Sequence, residues 1–290
     1  MTLSRARGAL LGLAVGDAVG TTLEFQPRGT FAPITDMEGG GPFDLMPGQW
    51  TDDTSMALCL GESLLECGGF DPVDQLRRYT RWFEDGYWSS VGHCFDVGGT
   101  VMMALMEFKL TGNAFSGPTH PQSAGNGSIM RLAPVVLHYH PDAEKAEHFA
   151  AESSRTTHGA EEAVAGCRIL ARMLMAALEG KAKEVVLRAA PPADWMSERL
   201  RDIAAARYVG KPKGRILGSG WGGGAAVASA RAFPSQTGQT AQSSGVSISA
   251  ARMIPLPSHT PHRSLSCAIV PSSCAKGSPT AHRGGPPRAV

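Results

Sequence analysis

The sequence predicts an all-α protein, and three observations carry that prediction. Apolar residues recur three and four positions apart through most of the first 200 residues. No segment there alternates apolar and polar residues as a half-buried strand would. Clusters of Gly, Pro and small polar residues fall between the periodic segments, so function is expected on loops joining helices.

The first helix is expected over residues 4–24, where Leu10, Leu11, Leu13, Ala14, Val15 and Ala18 give a broad apolar surface. Gly8, Gly12, Gly16 and Gly20 recur every four residues. Each costs up to about 1 kcal/mol of helix propensity. The stripe predicts either close packing of a second helix or backbone approach to a ligand near Gly16-Asp17-Ala18. Residues 25–50 carry Gly39-Gly40-Gly41-Pro42 and Pro47-Gly48 and read as a long loop, functional or disordered. From Asp52 onward Met56, Ala57, Leu60, Leu64 and Leu65 share one helical face. Further helices are expected over 71–86, from Thr100 to about Met106, and over 129–138, 143–154 and 159–179. A second loop, 114–128, ends in Ser123-Ala124-Gly125-Asn126-Gly127-Ser128.

The 290 residues, 42% of them hydrophobic, suffice for one large or two small domains with a sizeable core. No run of about 18 apolar residues marks a membrane span. The apolar N-terminal stretch contains Asp17 and Glu24 and no small-residue cleavage site, which argues against a signal peptide. Six cysteines (59, 67, 94, 167, 267, 274) form no Cys-x-x-Cys pair, so a reducing cytoplasm is expected. The net charge of +1 hides a break: all 26 acidic residues lie at or before Asp202, and ten Lys/Arg lie after it. Those basic residues are spread among Gly, Ser, Pro and Ala, a poor match to a nucleic-acid surface. After about Ser219 no helical period survives more than a turn. Residues 1–220 are therefore read as the helical domain and 221–290 as a low-complexity basic tail, disordered or non-native.

Trp50-Thr51-Asp52-Asp53-Thr54 carries the chemistry. One aspartate at a helix start is an ordinary N-cap. Two adjacent carboxylates between threonines exceed what capping needs, because like charges repel and burial raises the cost. A hard divalent cation removes that cost by taking oxygen ligands, and Glu24 and Thr51 offer more of them. Gly125-Asn126-Gly127-Ser128, read as entering a helix, offers N–H groups, a hydroxyl and a helix dipole to a phosphate, although a plain turn fits it equally. Arg131 adds charge there or ties to a carboxylate. His158 is a cap or a ligand contact, and His138 and His140 complement a helix C-terminus.

These segments, with Gly8 to Gly20, Glu24, Phe95-Asp96-Val97-Gly98, Ile129-Met130-Arg131 and Thr157-His158, resemble in order those of the ADP-ribosylglycohydrolases, including the dinitrogenase-reductase-activating type. The resemblance spans residues 8–158 and fades near Gly218-Ser219-Gly220. It implies a compact all-helical hydrolase with a two-metal Mg²⁺ or Mn²⁺ centre, removing ADP-ribose from modified side chains or cleaving related ADP-ribosyl compounds. By resemblance Thr51, Asp52 and Asp53 are metal ligands, and Glu24 and Asp53 are the catalytic carboxylates, Glu24 acting as base. Gly125, Asn126, Gly127 and Ser128 hold pyrophosphate and ribose, and Asp96 and His158 line the cleft. The expected partner is an ADP-ribosylated protein or small ADP-ribosyl compound, with no membrane and no nucleic acid, and the protein itself is expected to be a monomer.

The chain departs from the family in one respect. A second acidic motif, of the form Gly-Asp-Asp-Ala-Asp-Thr, is expected near the C-terminus, and no Asp or Glu follows Asp202. The bundle is thus incomplete at its C-terminus, and its metal site lacks about half its ligands. A shifted reading frame from about Trp221 accounts for the joint loss of acids, helical period and family pattern. Read from a G at the third base of the Arg252 codon, the bases encoding Met253-Ile254 begin Asp-Asp. The rival reading is a non-catalytic ADP-ribose-binding or structural relative.

Overall fold

The computed structural model describes residues 1–27 and 30–211, all within one compact unit. Among the described residues there is no β-strand, only an isolated bridge between Gly40 and Leu45. The α-helices are α1 (Leu3–Gly20), α2 (Asp52–Glu66), α3 (Pro72–Asp85), α4 (Gly99–Thr111), α5 (Ala133–Tyr139), α6 (Ala143–Arg155), α7 (Glu161–Leu178), α8 (Lys183–Val186) and α9 (Glu198–Ala204). The all-α expectation holds. The expected tail, 221–290, and the last residues of the 1–220 domain lie outside the described residues.

Helix boundaries follow local chemistry. Asp71 caps α3, accepting from the amides of Val73 and Asp74 at 2.9 Å, with Pro72 in the first turn. The helix ends at Gly86, whose φ of 67° is left-handed, and an added Cβ there would sit 2.5 Å from the Gly92 carbonyl oxygen. Asp142 caps α6 through the Lys145 amide. Glu161 and Glu162 open α7 with charge that complements the helix dipole.

The core forms where α6 packs along α7 and α2 packs against α3 and α5. Met56, Leu60 and Leu64 of α2 meet Leu76, Tyr79 and Trp82 of α3, together with Leu132 and Ile169. Leu65, expected on the same face of α2, instead points to solvent at 77% exposure. It follows Leu64 by one residue, and the 100° turn carries it off the buried stripe.

Two expectations are corrected. A Cβ added at Gly8, Gly12, Gly16 or Gly20 would meet nothing within 4 Å among the described residues. The stripe therefore packs against no described helix; α1 touches α2 and α5 along other positions, and Leu11 is 63% exposed. In addition, residues 127–131 form turns and α5 starts only at Ala133, with Pro134 in its first turn. The Gly125–Ser128 loop does not open directly into a helix, so it draws no helix dipole.

Candidate active site

Asp52 and Asp53 occupy the first turn of α2, with Thr51 as its N-cap residue. Glu24 ends the 3₁₀ turn Thr21–Leu23 that follows α1. Asp96 sits in the loop before α4 with φ of 54°, a left-handed conformation that aspartate tolerates better than most residues. Three separate segments thus bring Glu24, Asp52, Asp53 and Asp96 into one electrostatic cluster, joined by Asp17 from the last turn of α1. An edge-on chain of rings, Phe25 to Phe43 at 6.4 Å and Phe43 to Phe95 at 5.3 Å, ties the Glu24 and Asp96 loops together.

The cluster carries the mark of uncompensated negative charge. Burial, then repulsion from Asp53 and Asp96, holds the Asp52 carboxyl well above the ordinary carboxylate range. Burial, then the charges of Asp17, Asp96 and Glu24, pushes Asp53 up to about 8. Asp96 rises to about 7 for the same reasons, burial first and then Glu24 and Asp17. Glu24 is also raised, by burial and then Asp17, with the Thr21 hydroxyl partly offsetting the shift. None of the salt bridges among the described residues reaches these carboxylates. Hard oxygen donors in mutual repulsion fit a divalent cation in kind. They do not fit it fully in number: among the described residues no group of three or more His, Cys, Asp or Glu side chains is gathered closely enough to hold an ion.

The second expected constellation also assembles. A Cβ at Gly127 would sit 2.7 Å from Cε1 and 3.1 Å from Nε2 of His158 and 3.4 Å from Val101, so only glycine fits there. Val101 lies in the first turns of α4, the helix that follows Asp96. His158, expected in the cleft, is 2% exposed and lies beneath the loop. Burial, then the nearby Arg131 charge, drops its pKa to about 3, so it is neutral. Arg131 donates to the Thr157 hydroxyl at 2.7 Å, and that hydroxyl pairs with His158 Nδ1 at 2.9 Å.

Arg131 is fully buried and meets no carboxylate. It also donates to the carbonyls of Gly127 and Ser153 and lies over the Tyr79 ring at 4.7 Å. Its Nε has no partner among the described residues. Ser128 is buried, and its hydroxyl pairs with Ser154 Oγ at 2.8 Å. No hydrogen-bond acceptor is found among the described residues for the amides of Asn126, Gly127 and Ser128. A run of free N–H groups backed by a buried cation suits an anion. A cleft between α6 and α7, lined by Glu147, Arg168 and Arg172, is a weaker candidate, because those charges pair with one another.

Asp17 and Arg131 were the residues that sequence reasoning left without a defined role. For Asp17 a signal existed: a negative charge in the last turn of a helix opposes the dipole and calls for a reason. For Arg131 none did, because its partners other than the Gly127 carbonyl come from distant segments: Ser153 in α6, Thr157 after it and Tyr79 in α3.

The family model of the ADP-ribosylglycohydrolases matches residues 1–256, well past the Gly218–Gly220 stretch where the recognisable motifs end. The chain is 44% identical over 219 residues to the ADP-ribosylarginine hydrolase Tri1 of Pseudomonas putida, covering 76% of this chain and 58% of that protein. It is 35% identical over 181 residues to the ADP-ribosyl-[dinitrogen reductase] glycohydrolase of Rhodospirillum rubrum, covering 61% of this chain and 59% of the relative. A solved structure described as an ADP-ribosylglycohydrolase-related protein complex superimposes with a TM-score of 0.66 at 41% identity, over 79% of this chain and 75% of its own. The chain thus spans under two thirds of the length of these curated relatives. No described helix is long and apolar enough to cross a membrane. Motif order, helical fold and the two assembled constellations agree with the match, and the chain belongs to the ADP-ribosylglycohydrolase family.

Proposed function

We propose that this chain is built to hydrolyse the glycosidic bond between ADP-ribose and a modified side chain, with arginine as the first candidate because the relative from Pseudomonas putida is named for that linkage. The observation that carries this reading is the convergence of Glu24, Asp52, Asp53 and Asp96 with no basic residue among the described residues paired to them. Thr51, Asp52 and Asp53 would hold Mg²⁺ or Mn²⁺. When bound, the cation would supply Lewis-acid polarisation and neutralise the cluster. Glu24, half-buried and raised in pKa, is suited to take a proton from the attacking water. The free amides of Asn126, Gly127 and Ser128 would bind the pyrophosphate, and neutral His158 would fix the loop from below without adding charge. Asp96 would orient the ribose.

With no acidic residue after Asp202, this chain offers only the first half of a two-metal ligand set, and its activity is expected to be impaired. The absence of a three-carboxylate group among the described residues also favours a second reading, a relative that binds ADP-ribose without cleaving it. One experiment separates the two. ADP-ribose release from an ADP-ribosylated arginine substrate is measured at millimolar Mg²⁺ or Mn²⁺, for this chain and for one with the reading frame restored after residue 220. Release by the restored chain and its loss in Glu24→Gln is the expected outcome. No release from either, together with calorimetric binding of free ADP-ribose, would instead establish the binding role. An uninterrupted frame through codon 290 in independent isolates would discard the frameshift.

A further inference from the structure

We infer that Asp17 is a positioning residue that caps α2 from outside the helix and thereby frees the Thr51 oxygen for a cation; the second half of this inference rests on the metal reading above. Thr51 is the N-cap residue of α2 yet makes no side-chain capping bond. A threonine in that place ordinarily accepts an amide two or three residues on. Here Asp17 takes over. Its Oδ2 accepts the Thr54 amide at 3.0 Å, the bond that a local cap would make, and the Thr54 hydroxyl at 2.6 Å. Both carboxylate oxygens lie 3.1 Å from the Thr51 amide. The Thr51 hydroxyl donates to Oδ1 at 2.8 Å.

The consequence lies in the direction of one proton. A hydroxyl has one hydrogen and two lone pairs. With its hydrogen committed to Asp17 and its capping duty removed, Thr51 Oγ1 keeps both lone pairs for an electrophile. The same four donors fix the first turn of α2, which carries Asp52 and Asp53. The arrangement has an electrostatic cost. Asp17 adds negative charge to a cluster that already repels itself, raising Glu24, Asp52, Asp53 and Asp96. The helix itself gains from a carboxylate at its N-terminus, so the cost falls on the neighbouring carboxylates.

The test uses the full chain and its Asp17→Asn and Asp17→Ala variants, with far-UV circular dichroism to confirm folding. Amide hydrogen exchange at Thr51 and Thr54 reads the cap, with Leu60 and Leu64 as internal controls. Free Mn²⁺, followed by electron paramagnetic resonance, reads the cation site. In Asp17→Ala, exchange at Thr51 and Thr54 should quicken about tenfold, as expected for a lost cap, with Leu60 and Leu64 within twofold. Asp17→Asn, which keeps one acceptor oxygen, should fall between. Mn²⁺ affinity should weaken about tenfold or more in Asp17→Ala. Unchanged exchange at Thr51 and Thr54 overturns the cap. Faster exchange with parental Mn²⁺ affinity overturns the placement of the Thr51 oxygen. A parent that binds no Mn²⁺ at millimolar concentration refutes the metal reading and the cation half of the inference, while faster exchange in the variants still upholds the cap.

Discussion

Replacing Gly127 by alanine puts the loop geometry under direct test. The added Cβ would fall 2.7 Å from Cε1 and 3.1 Å from Nε2 of His158. The first distance is shorter than real Cβ contacts, so an atom must move. The ring has little freedom: it is 2% exposed, its Nδ1 is held by Thr157, and its carbonyl accepts from Ser154 Oγ at 2.9 Å. Overpacking at such a position costs about 1–3 kcal/mol. Gly127 is outside the left-handed region, so alanine also restricts the unfolded chain and returns about 0.4–1 kcal/mol. The net expectation is a loss of about 1–2 kcal/mol, read as a fall of several degrees in thermal midpoint for a domain of this size. A double-mutant cycle sharpens the reading, because Gly127→Ala should cost less in a His158→Ala background where the ring is gone. A Gly127→Ala variant as stable as the parent, or costs that simply add, would refute the steric argument.

Other outcomes follow from the same structure. Arg131→Lys should destabilise by roughly 2–4 kcal/mol in urea unfolding, since a lysine cannot reproduce the planar set of contacts to Gly127, Ser153 and Thr157. Asp53 and Asp96 have folded pKa values of about 8 and about 7, above the ordinary 3.8, so the folded state retains protons that the unfolded state has released. Without divalent cation, the stability contributed by these two groups should therefore be greatest near pH 4 and fall as pH rises towards 8, against the opposite, weaker trend from buried neutral His158. The slope is at most about 1.4 kcal/mol per pH unit for each proton, and less where the carboxylate reaches water; urea midpoints across that range in parent and Asp53→Asn check it, and a parental slope no steeper than the variant's would contradict it. Asp71→Ala removes a cap with two good hydrogen bonds and should cost about 1 kcal/mol with the site unaffected.

Local pattern made much of this legible. Met56, Leu60 and Leu64 announce α2, and Asp71-Pro72 and Gly86 mark both ends of α3. The order of the family motifs marks Glu24, Asp52 and Asp53 and puts Asp96 only in the cleft; that all four repel one another in one electrostatic cluster is visible only in the structure. What escaped the sequence depends on distant partners. No periodicity in 129–138 records that α5 starts at Ala133 or that Arg131 turns inward to Ser153 and Thr157. His158 reads as a polar loop residue until Gly127 is seen resting on its ring. Short α8 and α9 lack enough turns to show a period. The glycines of α1 suggested a neighbour because spacing reports only that a surface is flat, not what faces it.

The bonds from Asp17 to Thr51 and Thr54 cross 34 and 37 residues of sequence. The opening turn of α2 is therefore a non-local contact, and its completion waits on loop closure between two helices. The four bonds that hold the first turn of α2 can form only once α1 has docked. An N-terminal truncation that spares every other carboxylate would still remove those four bonds, which makes the opening turn of α2 a sensitive reporter of whether α1 has docked.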